Sequence, residues 1–190
     1  MSVYEQIDGT VQVLNAQALE ELFHQTFYQR FNTRLKGGGS EPIYRPQSQM
    51  CEYNLIVYSH DYAASALHEI AHWCVAGEER RKLEDYGYWY AADGRSVEQQ
   101  KTFESVEVKP QAFEWMFSVA AARKFRVSAD NLEAGVGASE NFKQLICEQA
   151  QHYCRDGLPE RARLYIEALS ARSGCDAALV VDRYARGCLE

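Results

Sequence analysis

Residues 62–76, YAASALHEIAHWCVA, predict a helix that is apolar around most of its circumference. Leu67, Ile70, Ala71, Cys74 and Val75 leave it little polar surface, so other elements must cover it from several sides. Gly77 is a natural stop. The same helix carries His68, Glu69 and His72, polar groups that an apolar setting tolerates only when they have partners. Positions i and i+4 share one helical face, so both imidazoles can reach one metal ion. With five His and 19 Glu in 190 residues, random placement gives this H-E-x-x-H pattern in about one chain in a hundred. A metal site inside a buried helix is therefore the reading that constrains the fold most.

The surrounding pattern is that of an α+β fold, one helix-dominated domain over residues 1–190 with a small sheet. Asn15 is a plausible N-cap for a helix whose Leu19, Leu22, Phe23 and Phe27 share one face. Residues 53–58, YNLIVY, predict a buried strand just before the metal helix. Residues 86–90, YGYWY, predict a second strand, ending at the turn signal Asp93-Gly94. Val106-Glu107-Val108 reads as extended or as the approach to a helix, with Pro110 in that helix's first turn and Phe113, Phe117, Ala120 and Ala121 at helical spacing. Three more helices are predicted over about 139–154, 159–171 and 176–185. Gly37-Gly38-Gly39-Ser40 reads as a mobile loop, and residues 78–82 as a solvated charged run.

Charge and cysteines narrow the chemistry. The net charge of −7 is held entirely by the first 150 residues, which disfavours broad binding to nucleic-acid backbones and suits a cationic substrate. None of the six cysteines forms a C-x-x-C pair, so they read as free side chains in a reducing compartment, with Cys74 in the core. No apolar run approaches a membrane span, and residues 1–12 have no signal-peptide pattern, so a cytoplasmic protein is expected.

Two histidines need a third protein ligand. Glu104, Glu107 and Glu114 follow His72 in the chain. Glu107 is favoured, because Val106 and Val108 would anchor the backbone and aim the carboxylate away from them, and a buried carboxylate needs a partner. His60 could approach as a supporting residue, whereas His24 and His152 have no motif around them. Two His and a carboxylate on zinc would make a hydrolase, peptidase or nuclease, with Glu69 as general base. The same set on Fe(II) would leave adjacent positions for O2 and substrate. A closed site with four protein ligands would be structural. No further His follows in the H-x-x-G-x-x-H manner, which argues against one large class of zinc peptidases.

Three blocks, residues 66–77 (ALHEIAHWCVAG), 85–90 (DYGYWY) and 106–112 (VEVKPQA), resemble the bacterial elongation factor P hydroxylase family in order and spacing. The resemblance covers most of the chain, and the helical C-terminal third is the less diagnostic part. It implies a fold similar to a bacterial metal-dependent endoribonuclease, and hydroxylation of the elongation factor P lysine that already carries a β-lysyl group. It also implies His68, His72 and Glu107 as ligands in a 2-His-1-carboxylate site for Fe(II), with another divalent ion as the alternative and O2 as co-substrate. Oxidising an unactivated C–H bond needs such a redox centre, because no side chain supplies the oxidant. Glu69 then becomes a catalytic or ligand-orienting group. Tyr86, Tyr88, Trp89 and Tyr90 become candidate walls for a cationic side chain. Elongation factor P is the expected partner, with neither membrane nor nucleic acid involved.

Overall fold

Helix α1 (Ala16–Phe31) begins where its cap predicts: Asn15 is extended and its side chain accepts a hydrogen bond from the Ala18 N–H. The structure, a computed structural model, describes residues 11–87, 94–128 and 137–189. Leu19, Phe23 and Phe27 form the buried face of α1, and Asn32 ends the helix in a left-handed conformation. The chain then enters β1 (Thr33–Gly39), β2 (Ile43–Arg45) and β3 (Asn54–Ser59). The sheet order is β1-β3-β2, with β1 parallel and β2 antiparallel to the central β3. The predicted strand is thus β3, shifted by one residue. The glycines expected in a mobile loop instead finish β1, where Gly39 pairs with Ser59 across a register shift. A Cβ at Gly37 would lie 2.7 Å from the Tyr58 ring, so the strand can pass there only without a side chain.

Central β3 leads into α2 (Ala63–Val75), the helix that carries His68, Glu69 and His72. Its Trp73 is fully buried. The indole lies 4.9 Å from the Phe27 ring, 5.3 Å from Phe23 and 5.5 Å from Phe31, edge-on or tilted. Such rings bring large buried area and a fixed packing angle, and so pin the roll of α2 about its axis. At its C-terminal end the Ala76 carbonyl accepts from both Arg81 and Arg161, at 2.7 and 2.6 Å. Two guanidiniums at the negative end of a helix dipole hold that end in place.

The strand predicted at 86–90 does not begin there. Residues Glu84–Gly87 form a 3-10 turn in which Asp85, Tyr86 and Gly87 have φ of 46°, 57° and 70°. The Asp85 carboxylate holds this turn by accepting the Tyr44 N–H at 2.7 Å. Residues 88–93 lie outside the described part of the chain, as do Tyr88, Trp89 and Tyr90 with them.

The largest difference is α3 (Val97–Ala120). Ser96 and Gln99 form a reciprocal capping box at its start, so Val106–Val108 lie inside the helix and Pro110 is an interior residue. An interior proline costs a helix about 3 kcal/mol. Helices α4 (Glu140–Asp156) and α5 (Glu160–Ser173) then pack on α3, and α3 packs along α2. The helix predicted over 176–185 is replaced by 3-10 turns at Ala177–Leu179 and Val181–Tyr184, separated by an extended Val180. The buried residues form one core cluster, and the sheet meets the helices where β1 packs against α1 and β3 against α2. Among the described residues no helix is long and apolar enough to cross a membrane.

Candidate metal centre

A polar stripe runs down α3. Gln100, Glu104, Glu107, Gln111, Glu114 and Ser118 are separated by four, three, four, three and four residues, and all are buried. That spacing keeps them on one helical face, the face toward which α2 and the start of α4 are packed. Each carboxylate on it has a separate task.

Glu104 accepts two hydrogen bonds from Ser139, the N-cap of α4: 3.0 Å from its N–H and 2.6 Å from its hydroxyl. It joins α3 to α4 and does not face the histidines. Glu107 Oε1 lies 3.1 Å from His72 Nε2, and its Oε2 lies 3.8 Å from His68 Nε2. The Gln111 amide, one turn on, supports the Glu107 carboxylate at 3.4 Å and also bonds both backbone groups of Ser128. Glu114 Oε2 accepts the His68 Nδ1–H at 2.8 Å. An ionised carboxylate can only accept, so Nδ1 must carry the proton, and Nε2 is turned toward His72 and Glu107.

The two Nε2 atoms of His68 and His72 are 3.1 Å apart. Two imidazole lone pairs cannot face each other at that distance with nothing between them; a proton or a cation has to occupy the space. Burial works against charge on His68, but Glu114, then Glu107 and Glu69, overcome it and raise its pKa to about 10. Burial likewise opposes charge on Glu107, yet His72, His68 and the Gln111 amide hold its carboxyl down to about 2. The pocket thus stabilises one positive charge among its donors.

A divalent ion fits the same place. Donor atoms of His68, His72 and Glu107 lie within 4.8 Å of one another. Ligands about 2.1 Å from one ion and at right angles to each other are about 3.0 Å apart, against about 3.4 Å for a tetrahedral pair. The two 3.1 Å edges sit nearer the first value. Imidazole and carboxylate donors without thiolate suit Fe, Zn or Mn rather than a soft ion. Cys74 is buried with its thiol pushed up to about 12 by desolvation, and all six cysteines are free. Among the described residues the ligand group contains three side chains and no fourth.

The third-ligand candidate Glu107 is thus brought to both histidines, though from a helix interior rather than an extended segment. Glu69 is half-buried on α2, and burial pushes its carboxyl above the ordinary range despite the nearby His68 and His72. It forms no hydrogen bond or salt bridge with another described residue. Tyr86 is buried and stacked on Tyr44 at 4.4 Å, with its hydroxyl lacking a partner among the described residues. His60 is exposed, with its ring 5.0 Å from Tyr62. His24 bonds the Leu35 backbone, and His152 pairs with Asp156 at the surface. The charged run at 78–82 is mostly exposed as expected, but Glu78, Glu79 and Arg80 also wall a cleft that reaches His72. That cleft has a volume of about 510 Å3, with Val75, Ala76, Val106 and Pro110 as apolar walls.

Comparison with known proteins bears on this geometry. The sequence profile described as Elongation factor P hydroxylase matches residues 22–182. The chain is also 53% identical over 150 residues to a Haemophilus influenzae protein named Elongation factor P lysine hydroxylase, covering 79% of this chain and 84% of that protein.

Proposed function

The chain belongs to the elongation factor P hydroxylase family, and from that premise we propose that it is an Fe(II)-dependent hydroxylase of elongation factor P. Its substrate in this reading is the factor's lysine that already carries a β-lysyl group. Residues 1–190 act as one domain, in the cytoplasm, where translation factors work.

The observation that carries the reading is the convergence of His68, His72 and Glu107 beside an open cleft, with three protein donors and no fourth among the described residues. Three ligands on one side favour a reactive ion over a structural one. The bound iron would supply O2 activation: one oxygen atom enters the C–H bond, and the other leaves as water with two protons and two electrons from an external reductant.

The side chains of the protein do the remaining work. Glu114 holds the His68 ring with Nδ1 protonated, so that Nε2 is the donor. Gln111 holds Glu107 from the far side. Trp73 fixes the roll of α2 and thus the direction of both imidazoles. Glu69, on the same helix, is the proposed catalytic carboxyl that handles protons at the substrate. The 2-His-1-carboxylate set, the acidic charge of the chain and the cleft suit a cationic side chain reaching an oxidising centre.

The test is an intact-mass measurement of β-lysylated elongation factor P after incubation with protein, Fe(II), O2 and a reductant. A gain of about 16 Da that disappears with His68→Ala is expected. An unchanged mass with the parent protein, under conditions where iron is bound, contradicts the reading.

A further inference from the structure

Gln111 is fully buried on α3, one turn after Glu107. Its amide is oriented by the backbone of a single residue. Oε1 accepts the Ser128 N–H at 3.1 Å, and Nε2 donates to the Ser128 carbonyl at 2.5 Å. The opposite orientation would set N–H against N–H and oxygen against oxygen, so Ser128 decides which end of the amide is the donor. A primary amide has a second N–H, and that one reaches Glu107 Oε2 at 3.4 Å. The contact is long and therefore weak, so it acts on the direction of the carboxylate more than on its stability. The two oxygens of Glu107 thus have different surroundings. Oε1 is 3.1 Å from His72 Nε2, whereas Oε2 faces the amide and is 3.8 Å from His68 Nε2.

We infer that Gln111 is a positioning residue that makes Glu107 a one-oxygen ligand, with Oε2 engaged by the amide N–H and Oε1 alone facing the metal position. The inference rests on the proposed metal site and assigns how many of its positions the protein fills. Carboxylates bind divalent ions through one oxygen or through both. A six-coordinate ion held by two imidazoles and a chelating Glu107 keeps two positions for other ligands; with Oε1 alone it keeps three. The amide sits one turn along the same helix, so the choice is built into the i, i+4 spacing of Glu107 and Gln111. The chemistry of the side chain matters as well. A lysine or arginine at this place would pair with the Glu107 charge and compete with the ion for it. A hydrocarbon would leave Oε2 free to turn towards the ion. The neutral amide engages that oxygen and leaves the charge for the metal. Ser128 contributes through its backbone, so its hydroxyl has no part in the device.

The test loads the full-length protein with Mn(II), counts the waters on the ion by water-proton relaxation, and locates its ligands in crystal structures of the loaded protein. The parent should show Glu107 Oε1 at about 2.1 Å from the ion, with Oε2 well beyond bonding distance. Gln111→Met removes the donor and keeps the length of the side chain. Both oxygens should then bind, and the relaxation enhancement should fall by about a third. Ser128→Ala should match the parent, because only backbone atoms of that residue hold the amide. A parent in which both Glu107 oxygens bind overturns the inference and leaves the proposed function standing. So does a folded Gln111→Met protein with the parent's water count and Oε1 alone bound. The parent's own structure decides the matter if this variant fails to fold. A parent that takes up neither Mn(II) nor Fe(II) at His68, His72 and Glu107 overturns both.

Discussion

The His68 imidazole donates its Nδ1–H to the Glu114 carboxylate at 2.8 Å, and the opposite nitrogen of the same ring points to His72 and Glu107. Glu114 therefore sets which nitrogen of His68 would be available to a metal, and is not itself one of the three grouped donors. Glu114→Gln keeps the shape but can present either an oxygen or an N–H to the ring. Iron affinity should fall by about 10- to 100-fold, measured by anaerobic titration, while the circular dichroism spectrum stays that of the parent. Parental affinity in this variant would remove Glu114 from the account.

The raised pKa of His68 makes the metal-free protein sensitive to alkali. A basic group raised from about 6.5 in the unfolded chain to about 10 in the fold adds stability that is fully present below pH 6.5. That contribution is lost as pH rises through 10. The metal-free protein should therefore lose on the order of 5 °C or more in Tm between pH 7 and pH 10. Glu114→Gln should flatten the slope, since Glu114 is the largest of the influences that raise His68. Bound metal takes the place of the proton, so the loaded protein should not show this slope.

Acid acts on Glu107 in the opposite sense. Its pKa is lowered to about 2, so its contribution is present above about 4.3, the unfolded value, and is lost as pH falls toward 2. Thermal melts of the metal-free Glu107→Gln variant should lack that acid-side loss. An acid limb identical to the parent's would show that Glu107 is not held ionised by the two histidines.

Much of this arrangement is legible in the amino-acid sequence. Asn15 caps α1, the YNLIVY run becomes β3, and the H-E-x-x-H helix is buried with its histidines together, because each of these depends on neighbours within a turn or two. Strands β1 and β2 are different: β1 is TRLKGGG, short and half polar, and it exists only through pairing with β3. Val106–Val108 alternate for only three residues and Pro110 also suits a helix start, yet both lie inside α3. The local signal for the longer helix is the S-x-x-Q capping box at Ser96–Gln99, followed by six polar residues at heptad spacing. That stripe also points to Gln111 and Glu114 as supports of the site, and weighing carboxylates singly as ligands conceals it.

Glu104 offers a contrast with its neighbours on the stripe. It receives two hydrogen bonds from Ser139 and none from the histidines. Glu104→Ala should lower stability by about 1–3 kcal/mol in urea unfolding, with iron affinity of the folded protein unchanged. A change in iron affinity comparable with that of Glu114→Gln would mean that the three carboxylates do not divide their tasks as described.

Glu69 separates oxidation from hydrolysis. In a zinc hydrolase it would be the base, and cleavage of a peptide or RNA would be lost in Glu69→Gln. The hydroxylase account predicts no cleavage by the parent protein, and for Glu69→Gln a slower hydroxylation with metal content retained. Peptide or RNA cleavage by the zinc-loaded parent, abolished in the variant, would favour the hydrolase.

The most direct test follows the oxygen atom. β-Lysylated elongation factor P is incubated with the iron-loaded protein and a reductant under 18O2 in ordinary water, and its intact mass is measured. The account predicts a gain of about 18 Da instead of about 16 Da, and no gain with His72→Ala. A gain of about 16 Da under 18O2, placing the oxygen's origin in water, would contradict it.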